Sequence, residues 1–225
     1  MRIDCHTHAF AEKIAEKAIR QLVDYYQVQT SHTGTIQALL DAAEEAELDA
    51  AILVVAATKA DQVKPAHDWI LHDVCAMSQV STRIIPFGTY HPDDPDWLSE
   101  INRLRKARIR GIKLHPEFQG IDLADPRLNP FFEEVEPDFT LLVHVGDPLV
   151  SPDNLSTPTK VAAIAASFPR LRIIAAHMGG YRMWEEALET LAGTNVYLDT
   201  SSTLGYIDPD MFKRLITKHG VDRIL

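Results

Sequence analysis

Short runs of β-branched and aliphatic residues alternate along the chain with longer segments that carry apolar residues at helical spacing. Strict alternation of strand and helix favours parallel strands, which helices cover on their outer faces. The sequence therefore predicts an α/β protein with either a (β/α)8 barrel or a doubly wound sheet. The candidate strands are residues 3–6, 50–55, 83–88, 110–114, 141–145, 171–176 and 195–198.

Proline marks the beginning of several predicted helices. Asp94, Asn129, Thr157 and Asp208 each precede a proline, and such residues cap the first turn of a helix whose first position suits proline. No glycine-rich phosphate-binding turn follows the first candidate strand, which counts against a dinucleotide-binding doubly wound sheet. We therefore expect the barrel.

The last six residues, 220–225, predict a turn and the beginning of an eighth strand. A (β/α)8 barrel typically takes about 250 residues, whereas this chain has 225. We expect a barrel that lacks most of strand eight and the final helix. We also expect the natural protein to continue past Leu225.

The organisation predicted for residues 1–225 is a single domain. Residues 9–34 are the longest departure from the strand–helix alternation, and they contain a helix-like stretch with apolar residues near every fourth position. Long loops after barrel strands often carry function. Two interpretations stay open, namely a lid over the barrel mouth and a packed extra helix.

Composition excludes several classes of protein. The 22 basic residues against 32 acidic ones give a net charge of −10, without the basic stripe that nucleic-acid binding needs. No apolar run approaches the roughly 20 residues of a membrane span. Two cysteines and no signal peptide predict a cytoplasmic protein. We expect a small molecule as the substrate, and the chain could also form a homodimer.

Histidines follow several of the candidate strands. His6 and His8 are separated by one residue at the end of the first strand, and alternation would place both on one face. His115, His144 and His177 lie at the ends of strands four, five and six, and these ends converge in a barrel. The sequence predicts a site for one divalent metal. Zn²⁺ suits such ligands best, and Mn²⁺, Fe²⁺ and Co²⁺ fit similar sets.

Four runs carry a family resemblance: IDCHTH at 3–8, GIKLHP at 111–116, LVHVG at 142–146 and AAHMGG at 175–180. In this order they resemble the amidohydrolase superfamily. They are most similar to its branch of small TIM-barrel metal-dependent hydrolases related to aminocarboxymuconate-semialdehyde decarboxylase. The resemblance implies that His6, His8 and His144 bind the metal and that His177 is catalytic. It also implies a general-base aspartate after Leu225, which this chain does not contain.

Weaker candidates for the substrate pocket are His115, Lys113, Phe10 and Trp184. Lys113 shares the inward face of strand four with His115, by the two-residue period of a strand. In some superfamily members a lysine on this strand is carbamylated and bridges two metals. The other interpretation is a buried lysine paired with a carboxylate such as Asp4 or Asp199.

Three functions are compatible with the sequence. The first is hydrolysis of an amide, lactone or ester-like bond by a metal-activated water. The second is non-oxidative, metal-dependent decarboxylation of a small unsaturated or aromatic acid. A decarboxylase should have a cation that binds the substrate carboxylate, and the presence of Arg182 near a strand end does not decide between hydrolysis and decarboxylation. The third is a catalytically inactive metal-binding protein, if the short C-terminus is genuine.

Overall fold

The computed structural model describes residues 1–77, 82–151 and 153–225. These residues form seven parallel strands, which pair in chain order. The strands are β1 (Ile3–Thr7), β2 (Ala50–Val54), β3 (Arg83–Thr89), β4 (Gly111–Leu114), β5 (Thr140–Val143), β6 (Arg172–Ala175) and β7 (Tyr197–Leu198). Every strand expected from the sequence is confirmed, and the fold class is the predicted (β/α)8 barrel without most of strand eight.

Helices connect the strands and cover the outer face of the sheet. They are α1 (Glu12–Tyr26), α2 (Ile36–Glu45), α3 (Val63–Trp69), α4 (Trp97–Lys106), α5 (Pro116–Gln119), α6 (Asn129–Val135), α7 (Pro158–Ser167), α8 (Trp184–Thr190) and α9 (Pro209–His219). A π-helical turn, Ile70–Val74, continues α3. No helix of the described residues has both the length and the apolar character needed to cross a bilayer.

The predicted helix caps are confirmed in two places and wrong in two. Thr157 and Asp208 accept hydrogen bonds from N–H groups in the first turns of α7 and α9. Asp94 lies in the turn before α4, which begins only at Trp97. Asn129 is the first residue inside α6 and accepts no capping hydrogen bond. The prolines therefore indicated all four helices, and they marked the first residue in α7 and α9 but not in α4 and α6.

Alternate residues of each strand pack on opposite sides of the sheet. Leu141 and Ile173 belong to the large core between sheet and helices. Their chain neighbours Leu142 and Ile174 belong to the smaller cluster on the other side, inside the curve of the sheet. This follows from the two-residue period of a strand. Both sides of the sheet are thus packed, which holds the strand ends in fixed positions.

The predicted start of an eighth strand lies beside β7. Ile224 forms a parallel bridge with Leu198, and the N–H of Leu225 donates to the carbonyl of Leu198 at 2.8 Å. Within the described residues, β1 pairs with β2 alone. The expected continuation past Leu225 concerns residues outside this sequence and stays a prediction.

The first strand departs from simple alternation. Asp4 pairs with Ala51 and Thr7 pairs with Leu53, so β1 contains one extra residue between these pairs. The extra residue forms a bulge, which turns the following side chains. The alternation expected along β1 is therefore interrupted between Asp4 and Thr7, while the rings of His6 and His8 still lie beside each other, with centroids 5.2 Å apart. The His6 N–H donates to the Asp4 carboxylate at 3.0 Å across the bulge.

A buried histidine joins α3 to the end of β3. The Thr89 N–H donates to Nε2 of His67 at 3.1 Å, so the ring proton is on Nδ1 and donates to Glu100 at 2.8 Å. Burial lowers the pKa of His67 below 6.5, although Glu100 opposes this shift. The folded protein therefore favours the neutral ring.

This lowered pKa makes the stability contribution of His67 complete above pH 6.5, the unfolded value, and smaller as the pH falls below it. We expect His67→Gln to lose about 1–3 kcal/mol of unfolding free energy at pH 8 through its broken hydrogen bonds. The variant should then lose less stability than wild type between pH 6.5 and pH 5. Urea unfolding measures both effects, with the exposed His72→Gln as control. An unchanged pH dependence in His67→Gln would contradict this account.

Candidate metal and active site

Four side chains from distant parts of the sequence meet where β1, β5, β6 and β7 end. His6 lies in β1, and His144 and Asp199 directly follow β5 and β7. His177 comes two residues after β6. The ring centroids of His6 and His177 are 5.4 Å apart, and those of His144 and His177 are 4.7 Å apart. These side chains are buried because the ends of parallel strands converge on one side of the barrel.

Asp199 is the hydrogen-bonding centre of this group. Its Oδ2 lies 2.9 Å from Nδ1 of the His6 ring. Its Oδ1 accepts hydrogen bonds from the backbone N–H of His177 at 3.0 Å and from the Ser201 hydroxyl at 2.5 Å. Burial opposes ionisation, but the hydrogen bonds and the nearby histidines outweigh it and hold the pKa of Asp199 well below its usual value. The carboxylate is therefore ionised, and it fixes both histidines.

The contact with Asp199 determines how His6 can act. The carboxylate accepts the proton on Nδ1, so the lone pair of the ring is on Nε2, which faces Nζ of Lys113. Burial, aided by the positive charge of Lys113, lowers the pKa of His6 and favours the neutral ring. A carboxylate that orients an imidazole in this way is typical of metal-binding histidines.

Lys113 lies completely buried on β4, with Nζ 3.1 Å from Nε2 of His6. Burial lowers the pKa of Lys113 from 10.5 to about 7, while the charge of Asp199 opposes this shift. The described residues include no direct ion pair between Lys113 and either Asp4 or Asp199. Lys113 therefore contacts the site through His6 and balances Asp199 only through space.

His177 lies in a tight turn that few residues tolerate. Its φ is 61° and that of Met178 is 56°, so two successive non-glycine residues adopt the left-handed region. Asp199 holds this turn, since its carbonyl accepts the Met178 N–H at 2.6 Å. The Trp184 indole donates to the His177 carbonyl at 3.0 Å. Trp184, a predicted pocket residue, thus supports the backbone of His177.

The ring of His177 contacts both Ser201 and His144. Nδ1 lies 2.9 Å from the Ser201 carbonyl, and Nε2 lies 3.0 Å from Nδ1 of His144. Burial lowers the pKa of His177 from 6.5 to about 4, so the ring is neutral near pH 7. With its proton on Nδ1, the ring donates to Ser201 and can accept a proton at Nε2.

A stack of three rings borders this cluster. Phe118 and His115 stack with centroids 4.0 Å apart, and His115 and His144 stack at 3.9 Å and 11°. Glu117 places a carboxylate within 4.8 Å of the two imidazoles. Stacked imidazoles direct their in-plane lone pairs side by side, not toward one ion. This group therefore suits contact with a substrate better than a second metal.

The remaining predicted residues lie farther out. His8 is exposed just past β1, with its ring centroid 5.2 Å from that of His6. Phe10 pairs with Thr35 through a backbone bridge next to Gly34. The structure thus brings His6, His144 and His177 together and leaves His8 beside them at the rim. The ligand and catalytic roles of these histidines stay predictions.

The buried donor set fits a divalent metal. Potential ligand atoms of His6, His177 and Asp199 all lie within 4.8 Å of one another, a set that shares only His6 with the predicted ligands His6, His8 and His144. The lowered pKa values leave the imidazoles neutral and the carboxylate ionised, which are the protonation states that bind metals. Because Asp199 is already occupied by protein donors, we infer that it orients His6 instead of binding the metal itself.

Sequence reasoning missed two residues of this site. Asp199 was considered only as a partner for Lys113, although its place directly after a strand could have indicated the site. Tyr26, whose hydroxyl lies 2.9 Å from Nε2 of His115, ends α1 and had no signal of this kind. Its position depends on how residues 9–34 fold back over the barrel.

The chain belongs to the amidohydrolase family, whose model matches residues 3–225. No curated protein sequence matches it. A TIM-barrel protein from Bordetella bronchiseptica is 13% identical, with a TM-score of 0.68 over 100% of this chain and 84% of that chain. At such identities, a structural match shows the shared TIM-barrel fold.

Two enzymes of known activity have a similar fold. The manganese-bound 5-carboxyvanillate decarboxylase from Novosphingobium aromaticivorans is 21% identical, with a TM-score of 0.63 over 100% of this chain and 85% of that chain. Dihydroorotase from Campylobacter jejuni is 16% identical, with a TM-score of 0.57 over 100% and 68%. The family supports an enzyme that binds a divalent metal, and it leaves the reaction open.

Removing His6 tests the predicted ligand set. We expect His6→Ala to lose most of its bound metal after growth with added zinc, because the variant lacks the imidazole that Asp199 orients. Elemental analysis of the purified protein measures the metal content. His72→Ala, which removes an exposed histidine, is the control. Unchanged metal content in His6→Ala would refute the assignment.

Asp199→Asn tests the orienting carboxylate. The amide keeps the size of the side chain but loses the charge that holds the proton on Nδ1 of His6. We expect metal affinity to fall by about 10–100-fold, as measured by chelator competition. Asp222→Asn, at an exposed carboxylate, should leave affinity unchanged. Wild-type affinity in Asp199→Asn would show that the tautomer of His6 does not depend on this charge.

Proposed function

We propose that the protein is a metal-dependent hydrolase that acts on an amide, lactone or ester-like bond of a small molecule. The observation that carries this proposal is the buried group of neutral histidines, His6, His144 and His177, arranged around ionised Asp199. The predicted ligands are His6, His8 and His144, and Zn²⁺ is the favoured metal over Mn²⁺, Fe²⁺ and Co²⁺. Such a metal supplies Lewis-acid activation of water and substrate.

The residues of the chain have distinct roles in this proposal. Asp199 holds the proton on Nδ1 of His6, so that Nε2 points into the site. His177 accepts a proton at Nε2 and passes it to the leaving group. The Ser201 carbonyl accepts a hydrogen bond from Nδ1 of His177, which keeps the resting proton of the ring on Nδ1. The three-ring stack with Phe118 forms one wall of the substrate space. The general-base aspartate expected after Leu225 lies outside this sequence.

Decarboxylation of a small unsaturated or aromatic acid is the second candidate function, and one observation favours it. The Arg182 guanidinium lies 5.4 Å from the ring centroid of Tyr181 and 5.6 Å from that of Tyr206. The Tyr181 ring is 6.0 Å from the ring of His177. Arg182 is thus a cation near the site that could bind a substrate carboxylate.

Turnover assays separate these functions. Zinc- and manganese-loaded protein would be assayed with panels of lactones, amides and esters, and in parallel for CO₂ release from substituted benzoates and muconates. Hydrolysis in the first panel supports the proposal, whereas CO₂ release alone supports the decarboxylase. A metal-loaded protein that is inactive with both panels corresponds to the third alternative, a non-catalytic metal-binding protein.

The role of His177 gives a sharper test within this experiment. We expect His177→Gln to lower kcat by about 10²–10⁴-fold, because glutamine cannot take up a proton. Metal content is measured in the same samples: wild-type content supports the predicted ligands His6, His8 and His144, whereas loss of metal would make His177 a ligand. The Trp184→Phe variant keeps an aromatic ring but loses the indole N–H that donates to the His177 carbonyl, and it should lose much less activity. Full activity in His177→Gln would remove His177 from the mechanism.

Other predictions accompany this proposal. From the sequence we expect a small-molecule substrate and a cytoplasmic location. The sequence is also compatible with a homodimer. Subcellular fractionation and light scattering would test the last two.

A further inference from the structure

Residues 9–34 form a long connection that contains α1, and backbone hydrogen bonds join its two ends. The Phe10 N–H donates to the Gly34 carbonyl at 2.8 Å, and Phe10 pairs with Thr35 in a parallel bridge. Gly34 adopts a φ of +75°, and an added Cβ would lie 2.5 Å from the side chain of Ile19. The closing turn therefore packs directly against α1. Residues 9–34 therefore leave and rejoin the barrel at one place, and we call this segment the flap.

The body of α1 has little attachment to the barrel. Ala15 is buried, whereas Ile14 is 47% exposed and most of the helix faces solvent. In the described residues, the side-chain hydrogen bonds that join α1 to the barrel come from its last two residues. Tyr25 donates to Oδ2 of Asp147 at 2.5 Å, and the Tyr26 hydroxyl lies against His115. The C-terminal end of α1 thus crosses the barrel mouth.

The Tyr26 hydroxyl lies between two imidazoles of the three-ring stack. Nδ1 of His115 accepts the Phe118 N–H, so the ring proton is on Nε2 and donates to the Tyr26 oxygen. Nε2 of His144 lies 3.1 Å from the Gly146 carbonyl, which can only accept, so Nε2 carries a proton and donates it there. It is therefore not an acceptor for the Tyr26 hydroxyl, which is 3.4 Å away. The hydrogen of the Tyr26 hydroxyl therefore lacks a good acceptor among the described residues. It is available to an acceptor atom of a ligand in the site.

The protonation of Tyr26 supports this arrangement. Burial, with help from neighbouring carboxylates and tyrosines, raises the pKa of Tyr26 above its usual value. The group is a neutral donor across the physiological range, suited to a carbonyl or carboxylate oxygen.

We propose that residues 9–34 are a lid over the site and that Tyr26 on this lid contacts the substrate, donating its hydroxyl hydrogen to a carbonyl or carboxylate oxygen. Tyr25 and Asp147 form the latch that holds the lid closed. The substrate role of Tyr26 rests on the proposed function, whereas the lid can be tested without any substrate.

Access of a small chelator to the metal tests the lid. Zinc-loaded wild type, Tyr25→Phe and Tyr26→Phe would be mixed with 4-(2-pyridylazo)resorcinol, and the rate of zinc release followed by absorbance. We expect both variants to release zinc several-fold faster at unchanged initial zinc content. Backbone hydrogen exchange in residues 12–26 should rise in parallel. Tyr206→Phe, which removes the hydroxyl of an exposed tyrosine outside α1, is the control.

Unchanged zinc release and unchanged exchange in Tyr25→Phe and Tyr26→Phe would overturn the lid. For the substrate contact, we expect Tyr26→Phe to lower kcat/KM by about 10-fold or more, the effect of one lost hydrogen bond. Tyr25→Phe should change kcat/KM less. An unchanged kcat/KM in Tyr26→Phe would overturn the contact. If no compound in the assay panels turns over, the proposed function and the substrate contact both fail, while the zinc-release result still decides the lid.

Discussion

A single buried carboxylate organises this site. Asp199 directly follows β7, yet its hydrogen bonds reach His6 in β1 and the turn after β6. In the described residues, β1 and β7 share no backbone pairing, so the contact between His6 and Asp199 joins them through side chains. Burying a charge is costly unless hydrogen bonds compensate it. The same hydrogen bonds that compensate Asp199 also fix the orientation of the two histidines.

The sequence predicted the architecture well because the architecture depends on local patterns. Strand runs, helical spacing and proline caps are read over a few residues, and all the strands appear where they were expected. The errors come from interactions that local patterns do not contain. The bulge in β1 changes the pairing with β2 by one residue, and α4 begins after a turn that Asp94 stabilises. Neither feature alters the hydrophobic pattern.

For the site, the sequence could indicate which strand ends carry chemistry but not which side chains meet. His6, His144 and His177 were identified because histidine is conspicuous at such positions, whereas an aspartate such as Asp199 is common in loops. The role of Tyr26 could not be predicted from the sequence, for a different reason. Its place at the mouth depends on the path of residues 9–34, which the alternation of strands and helices does not determine.

Rigidity and mobility are divided between different parts of the chain. His144, His177 and Asp199 follow strands that are packed on both faces, and the turn at His177 needs that support to keep its left-handed conformation. Tyr25 and Tyr26 extend from a helix that is mostly exposed, and segments with few buried contacts open at low free energy. The flap can therefore move while the histidines keep their spacing, so substrate entry need not disturb the geometry on which proton transfer depends.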